Sequence, residues 1–283
     1  MDRRTLGSVA LMFVAMSLIP LGDSAGKLLT RDHGATAFFV AFSRFAVGAG
    51  MVLVILGFRI DWRLYRDWRV WLRAGLIAAG IAFILTALTT EDIATVFGAF
   101  FVGPIFSYAL SVWLLGERVR PVQTALLGVG FCGVLLVVKP GFGMTPGLGF
   151  AVCAGLCYGA FLTASKWLAT VAPPRQLMLS QTLLGTLMLA PMGLLTVPAF
   201  TLPVTGLTLV SGLASASGNL LLILAFRREG ATTLAPFVYF QLIAATVYGV
   251  VIFGTFPDPL ALLGLGLLVC AGFATLAVRP HRA

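Results

Sequence analysis

Residues 94–121 read ATVFGAFFVGPIFSYALSVWLLGERVRP, an apolar run that opens after an acidic turn, carries a proline inside, and stops at a glycine ahead of a second proline. Sliding the chain against itself by 138 residues lays a second run of the same kind on this one. Glu91 then falls on Glu229, Thr95 on Thr233, Gly116 on Gly254, Pro121 on Pro259, Gly128 on Gly266 and Cys132 on Cys270. Residues 7–29 find their own partner in 146–168 at an offset of 139, where Lys27 meets Lys166. Self-similarity at one long period is the mark of a duplicated unit. It divides the chain into a first repeat, 1–140, and a second, 141–283.

Composition says what solvent these runs face. Of the 283 residues 59% are hydrophobic and only 10% charged, with a mean hydropathy of +1.02. Soluble domains carry about 25% charged residues, and a chain this apolar has too little polar surface to cover itself in water. A bilayer removes the difficulty, since a spanning helix needs about 20 mostly apolar residues. Ten such segments lie between the charge clusters, at 6–29, 35–57, 70–90, 93–115, 122–138, 147–170, 175–197, 204–225, 230–254 and 259–278. Each repeat therefore holds five spans. Because five is odd, the second repeat enters the membrane from the opposite side and the two are inverted. Inverted repeats recur in secondary transporters, where they enclose a midplane site. The expected fold is all-α and integral to the membrane, with ten transmembrane helices as two five-helix inverted repeats around a central cavity.

The net charge of +9 does not point to nucleic acid. Placing the N-terminus inside and alternating the loops puts 15 of the 19 Lys and Arg on the cytoplasmic side, as the positive-inside rule requires. This predicts a multi-pass protein of a bacterial-type cytoplasmic membrane with both termini inside. The cluster from Arg59 to Arg73, interleaved with Trp62, Tyr65, Trp68 and Trp71, reads as an interfacial anchor on lipid headgroups. The first span could pass for a secretory leader, but its partner in the second repeat argues that it is structure. Cys132, Cys153, Cys157 and Cys270 lie within spans as small fillers, and no His, Cys or acid grouping has metal or catalytic spacing. Neither a cofactor nor an enzymatic activity is expected. The sequence is compatible with a monomer.

Ionisable residues inside spans are costly, so they mark candidate sites. Arg44 sits in the middle of span two and must face protein or water, with Asp23 on span one as its best countercharge. Asp23 and Lys27 are four apart and share a helix face. Two readings of Arg44 stay open, a bracing ion pair and a charge that meets substrate. Tyr158 on span six, Asn219 on span eight, and Tyr239 and Gln241 on span nine complete the candidate substrate-binding set. Glu91 and Glu229 stand at equivalent helix starts, where acids cap free N–H groups and could also act as gates. Pro104 predicts a bend in span four. Its place in the second copy is taken by Leu242, and that of Glu117 by Thr255, so the bend of the first copy is expected to be the moving part. Asp23 is the one acid well inside a span, and proton coupling would run most simply through it.

The chain resembles the drug/metabolite transporter superfamily, of the EamA type with ten helices, over nearly its whole length. The marks are Pro104 with eleven residues between it and Gly116-Glu117, the following Gly128 to Gly133, and the weaker second copy. The resemblance implies a carrier of small metabolites across the cytoplasmic membrane. It points first to an exporter of aromatic amino acids, with riboflavin or nucleotide-like compounds as the alternative. A channel or a structural membrane protein is the rival class.

Overall fold

A computed structural model describes residues 3–116, 121–139, 143–168, 170–228 and 235–277. Helices account for all the regular structure among them. These are α1 (Arg3–His33), α2 (Ala37–Ile55), α3 (Trp68–Ala87), α4 (Ile93–Phe100), α5 (Val102–Leu115), α6 (Pro121–Val138), α7 (Pro146–Trp167), α8 (Pro174–Leu195), α9 (Leu202–Arg228), α10 (Phe240–Phe253) and α11 (Pro259–Ala277). Two short 3-10 turns, Trp62–Arg66 and Ala235–Tyr239, precede α3 and α10. Taken with their breaks, they make the ten segments expected. Seven are long and apolar enough to cross a bilayer, and three shorter apolar helices, Thr124–Val138, Phe237–Phe253 and Pro259–Ala274, complete the bundle.

Helix ends are set by local chemistry. The hydroxyl of Thr36 accepts from Phe39 N at the start of α2, and Asp67, Asp92 and Thr145 do the same for α3, α4 and α7. Gly116 ends α5 at φ 66° and Gly254 ends α10 at φ 65°. Both are left-handed caps that glycine adopts without steric cost. The outer surface is apolar, with Trp113, Leu195, Val251 and Leu263 all well exposed, the surface of a chain solvated by lipid.

The repeats interlock. Helix α1 packs along α9, and its counterpart α7 packs along α3. Helix α2 lies against α8, and α6 against α11, each against its own equivalent. The broken pair α4 and α5 rests on α7, as the 3-10 turn and α10 rest on α1. Exchanging the repeats leaves this set of pairings unchanged. Close approach depends on missing side chains. A Cβ on Gly155 would lie 2.5 Å from Phe100 O, one on Gly103 2.7 Å from Gly155 O, and one on Gly133 2.7 Å from Gly264 O. On α2, Phe45 seats its ring on Gly185 of α8.

The structure corrects the bend expected at Pro104. Segment four breaks earlier, at Phe101, and Pro104 sits in the first turn of α5, where its missing N–H costs nothing. Segment nine breaks too, at Tyr239, where the 3-10 turn gives way to α10. Phe101 and Tyr239 are equivalents at the 138-residue offset. Both copies are thus discontinuous.

Candidate functional site

Arg44 of α2 is 4% exposed and reaches α1 and α9 together. Its Nη1 donates to Asp23 Oδ1 at 2.5 Å, and its Nη2 donates to Gly22 O at 3.0 Å and Ser211 Oγ at 3.1 Å. Ser211 in turn donates to Gly22 O. Gly22 is what permits this, because a Cβ there would meet Ser211 O at 2.9 Å. One donor, Arg44 Nε, is buried without a partner. The ion pair sits out of water, where desolvation of each charge costs several kcal/mol and mutual neutralisation offsets it.

A cavity of about 50 Å³ opens beside Arg44, between α2, α3, α7, α8 and α9. Its polar lining is Arg44, Gln181, Thr182, Ser215 and Asn219, and Phe161, Ile77 and Ile81 supply apolar walls. The Asn219 amide donates to Ser215 O one turn back on its own helix. Metabolite sites run to about 300 Å³ or more, so the cavity in this state is too small for one.

A file of rings leads into the cavity wall. Tyr239 meets Phe101 with centroids 5.0 Å apart, Phe101 meets Phe100 at 6.4 Å, Phe100 meets Tyr158 at 4.9 Å, and Tyr158 stacks on Phe161 at 5.9 Å. Tyr239 is also seated on Gly272 of α11, where a Cβ would overlap its ring. The two residues at which the helices break therefore touch each other, at the centre of the exchange symmetry.

Both ends of the bundle are cross-tied. At the end carrying Thr36, that hydroxyl meets Thr196 Oγ1 at 2.7 Å, Lys139 pairs with Asp258 at 2.6 Å, and Thr145 Oγ1 donates to Glu91 Oε1 at 2.5 Å. The Lys27 ammonium donates to the Glu91 carbonyl and lies 5.3 Å from the Phe253 ring centroid. At the opposite end, Gln176 Nε2 donates to Arg59 O, Trp68 meets Trp167 edge-on, and Arg69 lies over Trp167. Outside the spans, hydrogen bonds from Lys139 and from backbone N–H groups hold the Asp258 carboxyl below its ordinary pKa, and burial pushes the Tyr65 phenol up.

The sequence-predicted residues thus fall into separate groups. Asp23 and Arg44 pair, and Arg44 and Asn219 share the cavity. Tyr158 and Tyr239 belong to the ring file. Gln241 is buried outside the cavity lining, and so is Lys27, which does not pair with Asp23 as their spacing allowed. The cap at α4 is Asp92, which accepts from Thr95 N, while the Glu91 side chain bridges to Thr145 instead. Glu229, Glu117 and His281 lie outside the described residues. Three of the four cysteines, Cys132, Cys153 and Cys270, face outward and fill no core. Sequence reasoning missed Gln181, Thr182 and Ser215, and it assigned Arg73 to the surface cluster although it is 7% exposed. Gln181 had a signal available, a lone amide inside an apolar segment.

The EamA-like transporter profile matches residues 6–139 and again 145–277. A riboflavin transporter of Rhizobium johnstonii is 28% identical over 219 residues, covering 74% of this chain and 70% of that protein. S-adenosylmethionine uptake transporters of Rickettsia felis and Rickettsia prowazekii are 26% and 23% identical, and the alignments cover 88% and 94% of this chain and 85% and 91% of theirs. A crystal structure of a protein 19% identical shares the fold at a TM-score of 0.67 over 96% of both chains. With two matching repeats, ten helical segments and a small polar cavity, the chain belongs to the EamA-like transporter family and is a multi-pass membrane protein, a secondary transporter of small metabolites and not an enzyme.

Proposed function

We propose that the chain carries a metabolite with a flat heteroaromatic ring by alternating access. The observation that carries this is the ring file from Tyr239 to Phe161, which ends at a cavity lined by amides and hydroxyls beside the Arg44 guanidinium. A planar solute slides along such faces with stacking at every step, and its polar edge pairs with Gln181, Thr182 and Asn219. Riboflavin and S-adenosylmethionine, the solutes named for the relatives, both contain such a ring system. In this scheme α4/α5 and the 3-10 turn/α10 swing about Phe101 and Tyr239. Closure at the Thr36 end uses the Lys27, Glu91 and Thr145 ties, with the gate at Glu229 as its equivalent on the cytoplasmic side. The orientation follows the positive-inside count, with both termini cytoplasmic.

Aromatic amino acids are the second reading, favoured by one observation. The Asp23–Arg44 pair offers a zwitterion an acid and a base at 2.5 Å separation, which its ammonium and carboxylate would take over. Counterflow in proteoliposomes separates the two. Vesicles preloaded with riboflavin, S-adenosylmethionine, tryptophan or leucine are tested for uptake of the labelled compound. Exchange of at least one of the two heteroaromatic metabolites is expected. Exchange of tryptophan alone favours the second reading, and exchange of leucine with none of the ring compounds refutes both.

A further inference from the structure

Arg73 does for one three-helix junction what Arg44 does for the other, but without an acid. Exchanging the repeats turns the α1, α2 and α9 junction into that of α7, α8 and α3. At the first, Arg44 meets Asp23. At the second, Arg73 Nε donates to Ser165 Oγ at 2.8 Å and Nη1 donates to Leu177 O at 3.0 Å, while its guanidinium carbon lies 4.5 Å from the Phe161 ring centroid. None of these partners carries charge. The ion pairs among the described residues leave Arg73 out, and Asp67, the acid nearest it along α3, is taken up by Arg69 at 2.6 Å. Arg73 lies about 8 Å along α3 from its start, close enough for its stem to reach water, yet its head turns inward and stays buried.

Arg73 is not itself among the residues that line the cavity, but residues around it are. Phe161 lines the cavity and stacks under Arg73. Ile77 and Gln181, each one turn beyond Arg73 and Leu177, line it as well. We infer that Arg73 is an oxyanion site: a carboxylate or phosphate on the transported solute supplies the countercharge that the chain withholds. The guanidinium fork suits such groups, which it binds through paired N–H donors. An ionisable residue inside a span is by default a candidate for a functional site. The inference rests on the cavity being the transport site, and it narrows the solute to one with an anionic group at the end that faces Arg73, which S-adenosylmethionine carries and riboflavin lacks.

The test uses the purified full-length chain in detergent, with thermal unfolding followed by tryptophan fluorescence. Sodium phosphate and sodium acetate are titrated against sodium chloride at matched ionic strength, small oxyanions being chosen because the cavity is small. The wild-type Tm is expected to rise saturably by about 5 °C with either oxyanion and not with chloride. Arg73→Gln should abolish the rise, and Arg73→Lys, which keeps the charge but loses the fork, should keep part of it. An equal rise in Arg73→Gln, or no rise in wild type, overturns the site. A rise seen only with dihexanoyl phosphatidylglycerol assigns Arg73 to lipid headgroups and also overturns it. If Arg73→Gln does not fold, Arg73→Lys decides: a rise equal to that of wild type in both affinity and size overturns the site, and a weakened one supports it. Because the readout is binding, a positive result stands even where counterflow fails, and the two readings fail separately.

Discussion

Separating Asp23 from Arg44 tests how the first junction is held. Both side chains are nearly sealed, at 3% and 4% exposure, and meet at 2.5 Å. Removing one partner of a buried ion pair costs about 3–5 kcal/mol, because the other charge is stranded. Asp23→Asn keeps an acceptor oxygen for Arg44 Nη1 but removes the only charge that faces it, leaving the guanidinium with uncharged partners and with Nε still unpartnered. A guanidinium cannot shed its charge, so this variant should lower the unfolding temperature by about 10 °C, and Arg44→Met, which strands a buried carboxylate, should lower it as well. The double variant removes both charges and should recover most of the loss, giving a coupling of about 2–3 kcal/mol in a double-mutant cycle. The assay is thermal unfolding of the detergent-solubilised chain at matched pH. Losses that simply add would refute the reasoning, and so would an Asp23→Asn variant as stable as wild type.

Four other outcomes are expected. Gly155→Leu should cost about 3 kcal/mol or more, since its side chain would be driven into the Phe100 carbonyl, 2.5 Å from the new Cβ; folded yield and Tm read this. Tyr239→Ala should cut counterflow several-fold with little loss of folded protein, while Tyr239→Phe, which keeps the ring, should stay near wild type. Pro104→Ala should leave the exchange rate within about twofold, because the break at Tyr239 forms in the second copy with Leu242 in the place of the proline. Asp258 has its folded-state pKa lowered by Lys139, so its tie is present above the ordinary carboxylate range and lost as pH falls through the lowered value; being exposed, Asp258→Asn should cost under about 1 kcal/mol at neutral pH, measured by thermal unfolding.

Much of this fold was legible because the signals are local. Span positions follow from apolar runs, and the caps at Gly116 and Gly254 follow from glycine ahead of proline. The Asp23–Arg44 pair was legible too, since a mid-span arginine must find an acid and few exist. Arg73 was not. In sequence it closes a run of Arg and Trp that reads as headgroup anchoring, and only the crossing of α7 and α8 shows that its head turns inward. Lys27 was misread for a similar reason: its spacing from Asp23 allowed a pair, but α4 brings a carbonyl nearer than Asp23 comes. Spacing along a helix gives which residues share a face, and neighbouring helices decide which of them meet.

The paired breaks show where a sequence argument from proline goes wrong. Proline explains a bend by subtracting one hydrogen bond, yet α10 breaks with none at the equivalent position. What the two copies share is a ring at the break, Phe101 or Tyr239, pressed against its own equivalent at 5.0 Å. Around each lies a backbone approach that tolerates no added side chain, Gly155 against Phe100 in one copy and Gly272 beneath Tyr239 in the other. Tertiary packing therefore offsets the lost helical hydrogen bonds at both sites. A break held by packing can move when the packing moves. If the Phe101–Tyr239 contact is where one repeat feels the other, Tyr239→Ala should slow exchange far more than Pro104→Ala does.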